Sequence, residues 1–117
     1  MKYACLIYQS EELQAQMNEA ETEANMAAHY AFSDKMEERG TLAGGQALLP
    51  TSSATTVRVN GEGKTITTDG PFAETKEQLG GFYLLECENL DEAIECAAQI
   101  PEAKNGSVEI RPLMVFD

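Results

Sequence analysis

The alternation of apolar and polar positions divides the chain into a short series of elements. Lys2 to Tyr8 (KYACLIY) reads as a strand, with Tyr3, Cys5 and Ile7 on one side and Ala4, Leu6 and Tyr8 on the other. Both sides are largely apolar, which suits a central strand. Ser10 to Gly40 carries a helical period and divides into two pieces if Asn18 and Glu21 form a capping box that starts the main helix. Acidic residues in its first turn, with Lys35 and Arg39 before Gly40, match the helix dipole. Ala28, Phe32 and Met36 form one stripe, and His29 falls at its edge beside Asn25. The histidine is thus placed where the helix meets a neighbour.

Thr41 to Leu49 reads as a second strand, interrupted by Gly44-Gly45, where the backbone can bulge or approach another chain segment closely. Thr56–Val59 and Lys64–Thr67 alternate around Asn60-Gly61-Glu62-Gly63 and predict a hairpin. Gly81 to Glu88 (GFYLLECE) is apolar on both faces and therefore central. Asn89 and Glu92 cap a second helix with Leu90, Ala93, Ile94 and Ala97 as its buried stripe, ended by Pro101. Ser107 to Phe116 closes the chain as a strand, and Pro112, which has no N–H to donate, marks it as an edge.

The order strand, helix, strand, inserted hairpin, strand, helix, strand predicts an α+β fold, a ferredoxin-like split β-α-β sandwich. Both helices would cover one sheet face. The bare face carries apolar residues from the first and third strands of the sheet, which predicts a homodimer joined through sheet faces.

Between hairpin and third strand lies Asp69-Gly70-Pro71-Phe72-Ala73-Glu74-Thr75-Lys76-Glu77-Gln78-Leu79-Gly80-Gly81-Phe82. Gly70-Pro71 is a turn, because glycine tolerates positive φ and proline fixes its own. Asp69 can hydrogen-bond that turn or present a free carboxylate at its rim. A plain connection needs neither both charge signs nor three glycines and a proline, so this stretch is a candidate site.

Composition narrows the function classes. The chain of 117 residues fits one domain, residues 1–117. A formal net charge of -12 makes nucleic acid and anionic membranes poor partners. No run approaches the roughly 18 apolar residues of a membrane span, and no leader pattern opens the chain, so a cytoplasmic location is expected. Three cysteines, Cys5, Cys87 and Cys96, show no metal-ligand spacing, and one histidine makes a histidine-based metal site unexpected.

The fourteen-residue run beginning at Asp69 resembles the signature of DGPF-domain proteins within the YCII-related superfamily. The resemblance extends over nearly the whole chain, taking in the Gly44-Gly45 segment, Thr55-Thr56-Val57-Arg58, Leu90-Asp91-Glu92-Ala93 and Ser107-Val108-Glu109-Ile110-Arg111-Pro112. It implies a ferredoxin-like fold of the dimeric α/β-barrel type. It also implies a cleft with a His and an Asp, here His29 and Asp69, and no cofactor. One relative acts as a dehydrochlorinase on a chlorinated aromatic diol, and DGPF proteins are associated with extracytoplasmic-function sigma factors. Two functions follow: a small-molecule-binding or regulatory module, or a cofactor-independent enzyme using a His–Asp pair for general acid/base chemistry on a small aromatic or oxo substrate.

Of the other side chains in and near the motif, Lys76 is the better candidate to hold an anionic ligand. Glu74, two residues away, points elsewhere in either an extended or a helical segment. Phe72 either anchors the turn or offers a stacking surface, and Arg58 on the hairpin faces either cleft or solvent. The ordinary structural alternatives are a turn cap for Asp69 and, for His29, a bond to a neighbouring carbonyl or carboxylate.

Overall fold

A computed structural model describes residues 1–116. A four-stranded antiparallel sheet is built from β1 (Lys2–Gln9), β2 (Leu42–Ala47), β5 (Gln78–Glu86) and β6 (Ser107–Pro112), in the order β2-β5-β1-β6. A separate two-stranded ribbon, β3 (Thr55–Val59) with β4 (Thr65–Asp69), is inserted between β2 and β5. The two strands predicted to be central are central, and the two predicted edges are edges.

Ser10 accepts from the Leu13 N–H and starts the short helix α1 (Glu11–Ala15). The long helix α2 (Glu19–Glu38) begins at the predicted capping box: Asn18 accepts from the Glu21 N–H while the Glu21 carboxylate accepts from the Asn18 N–H. Helix α3 (Leu90–Ala97) is capped by Asn89 and followed by a 3-10 turn over Pro101–Ala103.

Both long helices pack on one face of the sheet. There Tyr3, Cys5 and Ile7 of β1 and Leu85 of β5 meet Phe32 and Met36 of α2 and Ala93, Cys96 and Ala97 of α3. The helical stripes differ in detail from the expected ones. On α2 the inward line is Asn25, His29, Phe32 and Met36, while Ala28 is exposed. On α3 the expected Ala93 and Ala97 are buried together with Cys96, and Ile100 is buried just beyond the helix end, while Leu90 and Ile94 are half exposed. Helix α2 turns hydrogen-bonding and bulky side chains toward the sheet, whereas α3 turns its small residues inward, a choice that periodicity alone does not fix. All three thiols are free and buried, and burial pushes Cys5 up to about 11 and Cys87 up to about 12, so they remain neutral.

The opposite face has no layer over it. Ala4 and Leu6 stand there opposite Leu84 and Phe82, all half-buried. The molecule measures 49 × 47 × 18 Å, one sheet plus one helical layer thick. Its radius of gyration of 16.4 Å exceeds the roughly 13 Å of a compact chain of this length. Among the described residues the β3–β4 ribbon pairs only with itself.

The paired glycines act as close-approach positions. A Cβ on Gly81 would lie 2.8 Å from the Gln46 carbonyl oxygen and 3.3 Å from Ala47 Cα, both backbone of the adjacent strand. Gly81→Ala is therefore expected to cost about 1–3 kcal/mol in urea unfolding, since backbone must move. Gly61→Ala, where a new Cβ meets nothing within 4 Å, should change the midpoint little.

Candidate functional site

A cavity of about 550 Å³ opens between α2 and the end of the sheet formed by β1, β2 and β5. Its chemistry starts on α2, where Asn25 and His29, one turn apart, face inward. From the turn after α3, Glu102 rises to meet them and is buried at 3% exposure. Asn25 Nδ2 donates to Glu102 Oε2 at 2.9 Å, and His29 Nε2 lies 2.7 Å from Glu102 Oε1. Among the described residues the imidazole is the one group set against Oε1, which is otherwise without a hydrogen-bond partner. On its other side, His29 Nδ1 is 2.8 Å from the Tyr83 hydroxyl of β5.

These contacts fix the protonation pattern. Burial raises the Glu102 pKa, but hydrogen bonds from His29 and Asn25 and the attraction of His29 outweigh it, leaving the group below its ordinary value. An ionised Glu102 requires a proton on Nε2. In a neutral imidazole Nδ1 is then the acceptor of the Tyr83 O–H, whereas in the imidazolium it donates to the phenol oxygen. Burial, together with the Glu102 charge, raises the Tyr83 pKa despite an opposing hydrogen bond from Ser33, so the phenol is neutral near pH 7. Phe32 packs against the Tyr83 ring at 4.8 Å between centroids and holds its orientation.

Gly106 allows Glu102 to reach this position. Its N–H donates to the Glu102 carbonyl at 2.7 Å, and a Cβ there would fall 2.3 Å from the Tyr8 carbonyl oxygen. Only glycine lets the turn close on β1.

The rest of the cavity is uncharged amide and apolar surface, with Gln9, Gln14, Gln46 and Gln78 supplying the amides. Glu11 also lines it, but its carboxylate is engaged by the Thr51 N–H at 2.8 Å and hydroxyl at 2.5 Å. No Lys or Arg is among the lining residues. Among the described residues no three His, Cys, Asp or Glu are grouped as metal ligands.

The chain belongs to the YCII-related family. The family's domain matches residues 1–117. An uncharacterized protein of Rhizobium meliloti (strain 1021) is 43% identical over 118 residues, covering 99% of this chain and 94% of that one.

Of the residues that the sequence singles out, His29 lies in this cavity with Gln78, Gly80, Gly81 and Phe82 from the end of the motif, whereas Asp69, Arg58, Phe72, Glu74 and Lys76 lie elsewhere. Asp69 is the exposed last residue of β4, and Arg58 is exposed on β3. Phe72 (78% exposed), Glu74 and Lys76 lie on the irregular segment 70–77 that follows. Gly70 does take the predicted positive φ, 98°. Within one chain of this YCII-related protein, the carboxylate brought to His29 is that of Glu102, and Asp69 does not line the cavity. Glu102 follows a helix-ending proline and looks in sequence like a surface glutamate. Tyr83 was legible as a strand residue, but its hydroxyl partner was not.

A carboxyl group held below its ordinary pKa stabilises the fold above that ordinary value, and the contribution is lost as pH falls through the lowered one. Wild-type stability should therefore drop from about pH 4.5 downward, the Glu102 part of that drop being absent in Glu102→Gln. Urea midpoints between pH 7 and pH 3 test this. Glu102→Ala, which strands His29 and Asn25, is expected to cost about 3 kcal/mol or more at pH 7.

Proposed function

We propose that this YCII-related protein binds a small, uncharged, hydrogen-bonding molecule in the cavity and moves a proton on it through the Tyr83–His29–Glu102 relay. The observation that carries this reading is the relay itself: a buried carboxylate on one imidazole nitrogen, a phenol on the other, opening on one cavity. A proton leaving the ligand passes to Tyr83 Oη as the phenol proton passes to His29 Nδ1. The resulting imidazolium faces ionised Glu102, which stabilises it. His29 thus keeps the acid/base role expected of it, with Glu102 as its orienting carboxylate. The amide-rich, cation-free lining favours a neutral ligand over a carboxylate or phosphate.

A second reading, a regulatory module acting through a partner, is favoured by the exposed apolar ribbon and by Met114, Val115 and Phe116, all at least 77% exposed. The association of DGPF proteins with sigma factors belongs to this reading. In both readings the protein works as a homodimer, supported by the half-buried apolar sheet face.

Ligand-observed NMR with small aromatic diols, ketones and their carboxylate analogues tests the first reading. The uncharged compounds are expected to bind at least tenfold more tightly. Exchange of the ketones' α-protons with deuterium should be accelerated by the wild type and fall about 100-fold or more in Tyr83→Phe and His29→Gln. Preferred binding of the carboxylates would overturn the neutral-ligand reading; exchange unaffected by both variants would remove the relay.

A further inference from the structure

The glycine pair Gly44-Gly45 of β2 has so far no role in the site, yet Gly45 lines the cavity. It stands directly opposite Tyr83 across the β2–β5 ladder. A Cβ there would lie 2.9 Å from Tyr83 Cδ1 and 2.8 Å from the Phe82 carbonyl oxygen, so its place is taken by the aromatic ring and by neighbouring backbone. Gly44 differs, because its Cβ would meet the Leu84 side chain at 3.5 Å, an ordinary contact. Only one member of the pair is held to glycine by its surroundings.

Register decides which glycine meets the ring. A bulge between Leu42 and Gly44 inserts Ala43 into β2, so that Leu42 pairs with Leu85, Gly44 with Leu84 and Gly45 with Tyr83. Without it Gly44 would oppose Tyr83, and every later residue of β2 would change faces. The Tyr83 ring is thereby confined by three elements. Phe32 of α2 packs on it at 4.8 Å between centroids, Gly45 of β2 leaves room at Cδ1, and the His29 ring, 6.0 Å away and within 24° of parallel, meets the hydroxyl at 2.8 Å. An aromatic ring laid across a cross-strand glycine holds both partners of such a pair. To reach an ordinary carbon separation near 3.5 Å, the 2.9 Å contact that a Cβ would make has to open by about 0.6 Å. The ring is rigid, so its hydroxyl end swings further than Cδ1 does, and a hydrogen bond does not survive a displacement of that size.

We propose that Gly45 is a positioning residue of the site: the absence of its side chain sets the Tyr83 ring so that the phenol reaches His29 Nδ1. What this does for proton transfer rests on the relay reading above, whereas the phenol–imidazole geometry that Gly45 sets does not. Gly80 on the same cavity wall offers a contrast. A Cβ there would lie 2.9 Å from the Gln9 amide nitrogen, the far end of a flexible side chain that can give way without moving the ring.

The chain has one histidine, so the ring nitrogens of His29 give unambiguous 15N resonances. With the imidazole neutral, Gly45→Ala is expected to move the Nδ1 resonance to where Tyr83→Phe places it, since both variants remove the hydrogen bond that Nδ1 accepts. Gly44→Ala and Gly80→Ala should leave it at its wild-type position. A folded Gly45→Ala with the wild-type Nδ1 resonance would overturn the proposal, as would an equal shift in Gly44→Ala. Should Gly45→Ala not fold, the wild type decides. A strong nuclear Overhauser effect between the Gly45 α-protons and the Tyr83 ring is expected there, and its absence overturns the proposal as well. Deuterium exchange that Tyr83→Phe leaves unchanged would remove the relay while the Nδ1 result stood, so the two readings fail separately.

Discussion

The contact between Glu102 and His29 is the constraint on which the rest of the site depends. A carboxylate at 3% exposure is costly unless its oxygens are met by donors. Asn25 and His29 supply them, one turn apart on α2, so the helix has a single rotation and height above the sheet that satisfies both oxygens. That rotation carries Phe32 and Met36, one and two turns further on, into the core, and leaves Ala28 outside. It also places the proton of a neutral imidazole on Nε2, which leaves Nδ1 to accept from the Tyr83 hydroxyl. The interaction that satisfies a buried charge therefore sets both the helix packing and the order in which a proton can move.

The architecture was readable from the chain because local signals agreed with one another. The capping pair Asn18 and Glu21, the two-sided apolar strands, the glycine pairs and Pro112 each have a mechanism that acts within a few residues. His29 was readable as a residue at a helix contact for the same reason. Its carboxylate partner was not, because Glu102 becomes buried only when the turn after α3 folds back on β1. Gly106 permits that, and nothing within a few residues of Glu102 announces it. Asp69 is rich in turn signals, and those were read correctly as a turn. Its relation to His29 depends on where the ribbon goes, which is a question of tertiary and quaternary placement. The exposed Leu90 and Ile94 show the same limit at the level of packing, because the sheet beneath α3 selects Ala93, Cys96 and Ala97 as its inner residues.

Flatness connects the fold to the assembly. A sheet with helices on one side and an unpaired ribbon leaves apolar side chains on three surfaces, the open face, the ribbon and the cavity rim. A formal charge of -12 opposes association between like copies, a repulsion that burial of those surfaces has to outweigh.

The same charge bears on the chemistry. Removing a proton from a neutral ligand leaves an anion in a cavity that already holds Glu102 and Glu11 and has no Lys or Arg in its lining. Separated charge of that kind is unfavourable at low dielectric unless a positive charge forms nearby in the same step. The proposed relay would supply one: as the ligand proton arrived on Tyr83, an imidazolium would form at His29, within hydrogen-bond reach of the phenol. Glu102 lowers the cost of that imidazolium yet also repels the new anion, so the phenol between them serves as spacer as well as carrier. A cation delivered to the mouth from outside the chain would relieve the remaining repulsion.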